Sequence, residues 1–495
     1  MVIVSTTKGK IKGVQEKNYQ YFYGIPYAKP PIEELRFCNP QPMESWDDVK
    51  DTTKFRFIAP QNQPDTPPIG SEESEDCLYL NVWTPKADDK RRPVMFWIHG
   101  GGFIIGGSTR NRFNGARLAV HGDVVVVNFN YRLGVFGFLS LPDIPPNLGI
   151  ADQIAALKWV KENIKNFGGD QNNITIFGES AGGMSVSILL SSPKAKGLFQ
   201  KAVMQSGAAG TGIATIEQAK KGVERFLTKL QIKQDEIDLL RGFPTRKLIR
   251  VQKKFASFGN LEDFSNPFTP FIDGDIIPEN PIEIMLKGAS NDVPIMMGFN
   301  KDELGFIADI LNKSTEEGVN DLIGGFRTNL EKRKLKNLDN LINVYRSEIE
   351  KNYPESRYKY WEAIISDSMF RVPIIKQLEA HISHNPDAYC YIFSYESHVS
   401  GYSFHTLEIP FVFGNLDTKD IATGYIEINK NTEKLSKNIM DAWVAFARTG
   451  DPNHEGLPEW PRYDIEKRAT MILGTEPKVE YAPGDIFRKV WENTI

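Results

Sequence analysis

Two uninterrupted apolar runs mark the first third of the chain. Val94–Ile98 reads Val-Met-Phe-Trp-Ile, and Asp123–Phe129 holds four consecutive valines. A strand covered on both faces, as in a parallel sheet, gives such a run rather than an alternation. The period then changes. Apolar residues at Ile154, Leu157, Val160, Ile164 and Phe167 form a helical stripe, which Gly168-Gly169-Asp170 ends. Ile174–Phe177 is a short β-rich run, and Met184–Leu190 continues as a helix. Further strands are predicted at Ala202–Gln205, Val293–Gly298 and Ala388–Tyr395. A late helix is predicted at Thr432–Arg448, with Gly450 and Pro452 as stop signals. Strands alternating with helices in this order predict an α/β fold, with a central, mostly parallel sheet flanked by helices.

Between the last two strands the pattern turns polar. Leu311–Tyr360 is dense in Lys, Glu, Asn and Leu and reads as solvated helices, and Trp361–Ile365 begins a more amphipathic one. Such a block between sheet strands suits a cap over a site. No repeat or long linker interrupts the chain. One domain over residues 1–495 is therefore expected, with a helical insertion over roughly 305–385.

Composition narrows the function classes. The formal net charge is −4, with 59 Lys and Arg against 63 Asp and Glu, so neither nucleic acid nor an anionic membrane surface is an expected partner. The apolar runs are too short to span a bilayer. Met1–Lys8 reads as a first strand rather than a signal peptide. Cys38, Cys77 and Cys390 form neither a disulfide framework nor a metal-ligand spacing. A cytoplasmic protein without metal is expected.

Gly178-Glu179-Ser180-Ala181-Gly182 carries the candidate chemistry. A serine on a tight strand-to-helix turn is pushed out of the sheet, and the flanking glycines leave room for the packing. The next N–H, at the start of the helix, can face an oxyanion. Upstream, His99-Gly100-Gly101-Gly102-Phe103 follows the strand at Val94. Successive glycines there expose backbone N–H groups, as an oxyanion hole requires. The serine needs a base, and the chain has seven histidines. His99 and His121 precede the elbow, His381 and His384 end a helix, and His454 sits in a polar turn. His398 and His405 remain, both beyond the strand at Ala388, where the chain order serine, acid, histidine places the base. Asp302 and Glu303, after the strand at Val293, are both candidate acids. Phe103, Met184, Phe268, Phe271 and Phe306 are candidates to line a substrate pocket.

With these pieces in order, the chain resembles the type-B carboxylesterases of the α/β-hydrolase superfamily, most of all in pattern the bacterial para-nitrobenzyl esterases. The resemblance runs through Tyr23–Pro31, Leu35–Phe37, Ser74–Asn81, His99–Phe103, Asn130–Gly134, Asn147–Gln153 and Phe177–Gly183. It continues through Phe404–Phe411, Phe446–Asn453 and Trp460–Tyr463. It implies an α/β-hydrolase fold and hydrolysis of small to medium uncharged esters, aryl esters included, through an acyl-enzyme, with no cofactor. By position it implies Ser180 as nucleophile, Glu303 rather than Asp302 as acid, and His405 rather than His398 as base. It places the oxyanion donors on the N–H groups of Gly101, Gly102 and Ala181. Ser206 is implied to support the triad by hydrogen bonding, and Glu179 and Glu408 to lie near it. Arg36 with Glu75, and Arg132 with Asp152, resemble structural ion pairs of the family.

Two departures shape the expectation. Ala59, not cysteine, precedes Pro60-Gln61, so Cys77 lacks the disulfide partner many relatives give it, which fits a cytosolic bacterial protein. The loop from Pro60 to Cys77 is polar and lacks tryptophan, which counts against a cholinesterase. Small-molecule esters are the expected partners, and a monomer is the default.

Overall fold

The computed structural model describes the chain except residues 62–71, 210–211, 234–235, 237, 256–266, 333–334, 355, 357, 419–421 and 495. Most of the loop read as polar and tryptophan-free thus lies outside the described residues. Strands β1 (Val2–Ser5), β2 (Lys10–Gln15), β3 (Gln20–Pro26), β4 (Lys50–Asp51) and β5 (Tyr79–Thr84) come first. Strands β6 (Arg92–Ile98), β7 (Val125–Phe129), β8 (Gly169–Glu179), β9 (Lys201–Gln205) and β10 (Ile295–Asn300) follow. Strands β11 (Ala388–Phe393), β12 (Ala469–Leu473) and β13 (Lys478–Tyr481) complete them.

These strands form one sheet in the order β1-β2-β3-β5-β7-β6-β8-β9-β10-β11-β12-β13, with β4 beside β2. From β7 to β12 every neighbouring pair is parallel. The ends are antiparallel, at β1/β2, β2/β3, β3/β5, β5/β7 and β12/β13. The winding reverses around β6, which lies between β7 and β8. In open parallel sheets, ligand sites form beyond the carboxyl ends of the strands at such a reversal. The turns after β6 and β8 are the glycine loop and the serine elbow.

Burial explains why the central strands read as continuous apolar runs. Val94, Phe96 and Ile98 of β6 join a core with Ile154, Leu157 and Val160 of the helix Leu148–Asn163. Met95 and Trp97 face the other way, into a core with Leu435, Ile439 and Trp443 of the helix Lys430–Thr449. Both faces are covered, so no polar position is needed on either. Each such side chain contributes about 1.5–3 kcal/mol by leaving water. The helix Lys430–Thr449 ends at Gly450 in the left-handed conformation, φ 83°, as its stop signal indicated.

Between β10 and β11 the chain runs through the helices Phe306–Lys313, Glu316–Lys332, Leu338–Asn352, Lys359–Ser366 and Val372–Ile382. Both family-type ion pairs form. Arg36 Nε donates to Glu75 at 2.7 Å, and Arg132 Nε and Nη2 grip Asp152 at 2.8 and 2.7 Å. Cys77 is buried and unbridged, and Cys38 and Cys390 are also free. Among the described residues no helix is long and apolar enough to cross a membrane.

Candidate active site

β8 delivers Glu179 to the sheet's carboxyl edge, and the chain turns into the helix Ala181–Ser191 at once. Ser180 takes the turn at φ 56°, ψ −124°, a conformation non-glycine residues rarely hold. It costs roughly 1–3 kcal/mol and persists only where the surroundings fix it. Here Ser180 N donates to Gln205 O of β9 at 2.9 Å, and Met184 N returns to Ser180 O at 2.9 Å. Gly182 shows why the turn needs glycine. A Cβ on it would stand 2.0 Å from the carbonyl oxygen of Ile98, so helix and β6 could not approach this closely.

The loop after β6 lies directly on this elbow. A Cβ at Gly100 would stand 2.5 Å from Glu179 O and 3.1 Å from Ser180 Cβ. Gly101 sits at φ +115°, with Ile105 O occupying the space of its missing Cβ. His99 anchors the loop. Its ring stacks on Tyr131 at 4.5 Å, its Nδ1 lies 2.9 Å from Gly100 O, and Tyr131 OH donates to its carbonyl at 2.8 Å. Burial pushes its imidazole down to about 4, so it is neutral and structural.

The two acid candidates separate cleanly. Glu303 Oε2 lies 2.7 Å from His405 Nδ1, and Oε1 accepts Asn300 N at 2.8 Å. The backbone adds a second tie, His405 N to Glu303 O at 2.9 Å. Asp302 faces away from the histidine. It takes Lys359 Nζ at 2.9 Å and Ser403 N at 3.2 Å. The base candidates separate as well. His398 is exposed, with Nδ1 3.2 Å from Tyr425 O. His405 is largely enclosed, and the Phe370 ring lies 4.8 Å from it.

On its other side His405 Nε2 lies 3.0 Å from Glu179 Oε1. This is an ion-pair contact without hydrogen-bond alignment, because Glu179 Oε1 has no hydrogen-bond partner. The ring therefore stands between two carboxylates, with Nε2 beside the chain neighbour of Ser180. Burial alone pushes His405 down. The carboxylates of Glu179, Glu303 and Glu408 outweigh it and lift the imidazole to about 9. Burial pushes the Glu179 carboxyl up, to about 8, against the opposing pull of His405. Glu408 is raised mainly by burial, and accepts Gln205 Nε2 at 3.0 Å and Asn300 Nδ2 at 2.9 Å.

Several expectations need correction. The hydrogen bond expected from Ser206 to the triad is not formed. Its hydroxyl is buried without a partner, at a left-handed turn (φ 47°) whose N–H donates to Gly298 O. Phe268 is fully buried with its ring edge-on to Phe226, and Phe271 is buried with its backbone held by Asn147. Core packing accounts for both. Phe103, beside the glycine loop, is buried edge-on to Phe138. Met184 lies in the first turn of the elbow helix, and Phe306, three residues past Glu303, is 46% exposed. Sequence reasoning missed Asn300, Lys359 and Phe370. Asn300 alone left a signal, a polar residue ending an apolar strand.

Sheet, elbow and the paired histidine and glutamate at the strand ends define a serine hydrolase of the α/β-hydrolase class. The chain belongs to the Carboxylesterase family, whose sequence model matches residues 1–487. It is 39% identical to the para-nitrobenzyl esterase of Bacillus subtilis, over 97% of this chain and 96% of that one. It is 35% identical to liver carboxylesterase 1 of Oryctolagus cuniculus, over 96% and 90% of the two chains. A crystal structure of a Geobacillus stearothermophilus carboxylesterase superposes with a TM-score of 0.88 at 38% identity, covering 99% of both chains. The protein is a carboxylic-ester hydrolase.

Proposed function

We propose that Ser180, His405 and Glu303 carry out ester hydrolysis as nucleophile, base and acid, on small to medium uncharged esters that include aryl esters of the p-nitrobenzyl kind. The 2.7 Å contact between Glu303 and His405, with Nε2 turned to the elbow, is the observation that carries this reading. Ser180 Oγ attacks the ester carbonyl carbon while His405 Nε2 takes its proton. Glu303 holds the ring orientation and stabilises the imidazolium. The carbonyl oxygen becomes an oxyanion and is received by the N–H groups of Gly101, Gly102 and Ala181. One such donor is worth about 3 kcal/mol in the transition state. The C–O bond to the alcohol breaks, and the alcohol leaves with the proton from Nε2. Water then attacks the acyl-enzyme with His405 as base, the acid is released, and Ser180 regains its proton. Met184 and Phe306 supply apolar surface beside elbow and acid, whereas Phe103 is core like Phe268 and Phe271. We read residues 1–495 as one domain, with the helices between β10 and β11 as its cap. The unbridged cysteines favour a cytoplasmic location, and a monomer remains our default.

A fluorophosphonate ester tests the assignment, because it captures an activated serine covalently. One adduct per chain is expected, on the peptide containing Ser180. An adduct on another residue would sink the proposal.

The acid limb of activity follows from His405. The base form acts, so kcat/KM rises with pH through the free enzyme's histidine titration. Three carboxylates raise that titration, so the limb lies above the ordinary histidine value of 6.5. Glu179→Gln removes the foremost of them and is expected to move the limb to lower pH. A pH-stat profile on a neutral ester checks this, and an unmoved limb refutes it.

A further inference from the structure

Asp302, Glu303 and Leu304 follow β10 in sequence, and one helix, Lys359–Ser366, holds the outer two. Lys359 Nζ donates to Asp302 Oδ1 at 2.9 Å, and Leu304 N donates to Ser366 Oγ at 3.1 Å. Ser366 Oγ in turn donates to Glu362 Oε1 at 2.7 Å, and Glu362 Oε2 lies 3.8 Å from Lys359 Nζ. The spacing i, i+3, i+7 puts Lys359, Glu362 and Ser366 on one face of the helix. Glu303 is therefore gripped through both of its chain neighbours while its own carboxylate meets His405. Asp302 carries the grip on to the base. Its Oδ2 accepts Ser403 N at 3.2 Å and its N–H donates to Ser403 O at 3.1 Å, two residues before His405.

The grip is sealed from water. Lys359 and Asp302 are each 7% exposed, and Glu362 is 3% exposed. The ammonium also lies 4.9 Å from the Tyr353 ring and 4.7 Å from the Tyr402 ring, within reach of a cation–π attraction. Burial presses the Lys359 ammonium down, but the carboxylates of Asp302 and Glu362 outweigh it and keep it charged. A buried pair of this kind adds little stability, because desolvation offsets the attraction. What it adds is geometry. A fixed ammonium draws Asp302 away from the histidine and leaves Glu303 to take it.

We propose that Lys359 is a positioning residue for ester hydrolysis, which through Asp302 fixes the backbone from which Glu303 reaches His405. The inference rests on the roles proposed above for Glu303 and His405.

Lys359→Met tests it, with rates taken on a p-nitrophenyl ester well below the unfolding temperature. Its kcat is expected to fall about 10- to 100-fold with KM within about twofold of the parent, because a displaced acid affects the chemistry and not binding. The low-field proton resonance of His405 Nδ1–H, donated to Glu303, is expected to move upfield or vanish. Lys359→Met with Asp302→Asn removes both buried charges, so its unfolding temperature is expected to return toward that of the parent. Its kcat is expected to stay low, because nothing then draws residue 302 to the helix. A purely structural pair predicts the opposite, turnover recovering with stability. Glu303→Ala is measured alongside. Full turnover there sinks the acid assignment itself, whereas a large loss there beside an unaffected Lys359→Met sinks the positioning role alone. A kcat within about twofold of the parent or an unmoved resonance in Lys359→Met, or parent-like turnover in the double variant, would overturn the proposal.

Discussion

Replacing Ser180 by alanine is expected to lower kcat for ester hydrolysis by about 10⁴- to 10⁶-fold with little change in KM. On the proposed roles, the substitution removes the oxygen that forms the acyl bond and leaves the oxyanion donors and the apolar walls in place. His405→Ala is expected to cost a similar factor. Glu303 and Glu179, both built around the ring, then have nothing to orient. The two losses should not add. If nucleophile and base act as one unit, as proposed, the double variant is expected to retain about the activity of either single one. His398→Ala is the control. That ring is exposed and touches a carbonyl of the 422–425 segment, so turnover within about twofold of the parent is expected. Steady-state rates on a p-nitrophenyl ester separate these outcomes. Full turnover by Ser180→Ala, or a large loss confined to His398→Ala, would break the assignment.

Legibility of the sequence divided along a physical line. Strands buried on both faces wrote their position into composition. Val94–Ile98 is contained in β6, and the elbow fell where a β-rich run met a helix. Glycines forced by close approach, such as Gly182 against Ile98 O, were equally readable, because no other residue fits. The proposed base and acid were readable only as pairs. Asp302 and Glu303 are adjacent, and what separates them is which way each points. Lys359, over fifty residues onward in the helix Lys359–Ser366, draws Asp302, and His405 draws Glu303. No local pattern encodes a partner at that distance. Side-chain surroundings failed for the same reason. Phe268 and Phe306 look alike in sequence, yet one is sealed in the core and the other is half exposed. The unpartnered hydroxyl of Ser206 is set by the turn it occupies rather than by its residue type.

That division extends to the charges. Glu179 was visible as the elbow's acidic residue, but its contact with His405 depends on three segments meeting. The ring between two carboxylates has a chemical consequence. A cation on His405 is favoured before the ester arrives, so the resting site holds its proton tightly and must release it to act as base. The same carboxylates stabilise the imidazolium once Ser180 has given up its proton. Stabilising the cation thus helps the transition state and handicaps the enzyme at low pH, and the Glu179→Gln profile separates the two effects.

Asp152→Ala is expected to be the most destabilising single change outside the elbow. Arg132 and Asp152 are 3% and 0% exposed, and their contact is bidentate. Asp152 Oδ2 also accepts the backbone N–H of Arg132 at 3.0 Å. Removing the carboxylate leaves a buried guanidinium with the Cys38 carbonyl, at 2.7 Å, as its remaining hydrogen-bond partner among the described residues. Breaking one side of such a pair costs about 3–5 kcal/mol, most of it the uncompensated charge. Asp152→Asn keeps an acceptor oxygen and should lose less. Arg132→Met with Asp152→Leu removes both charges and should recover much of the loss, because desolvation no longer opposes burial. The damage should also reach the chemistry. Arg132 follows Tyr131, whose hydroxyl holds the carbonyl of His99 at the root of the glycine loop. A loosened loop misplaces its N–H donors, so kcat for Asp152→Ala measured well below its unfolding temperature is expected to fall while the Ser180 adduct still forms. Urea midpoints of the three variants, followed by activity and by fluorescence together, decide the matter. If Asp152→Ala lies within about 0.5 kcal/mol of the parent, the buried pair is not what holds this corner of the sheet.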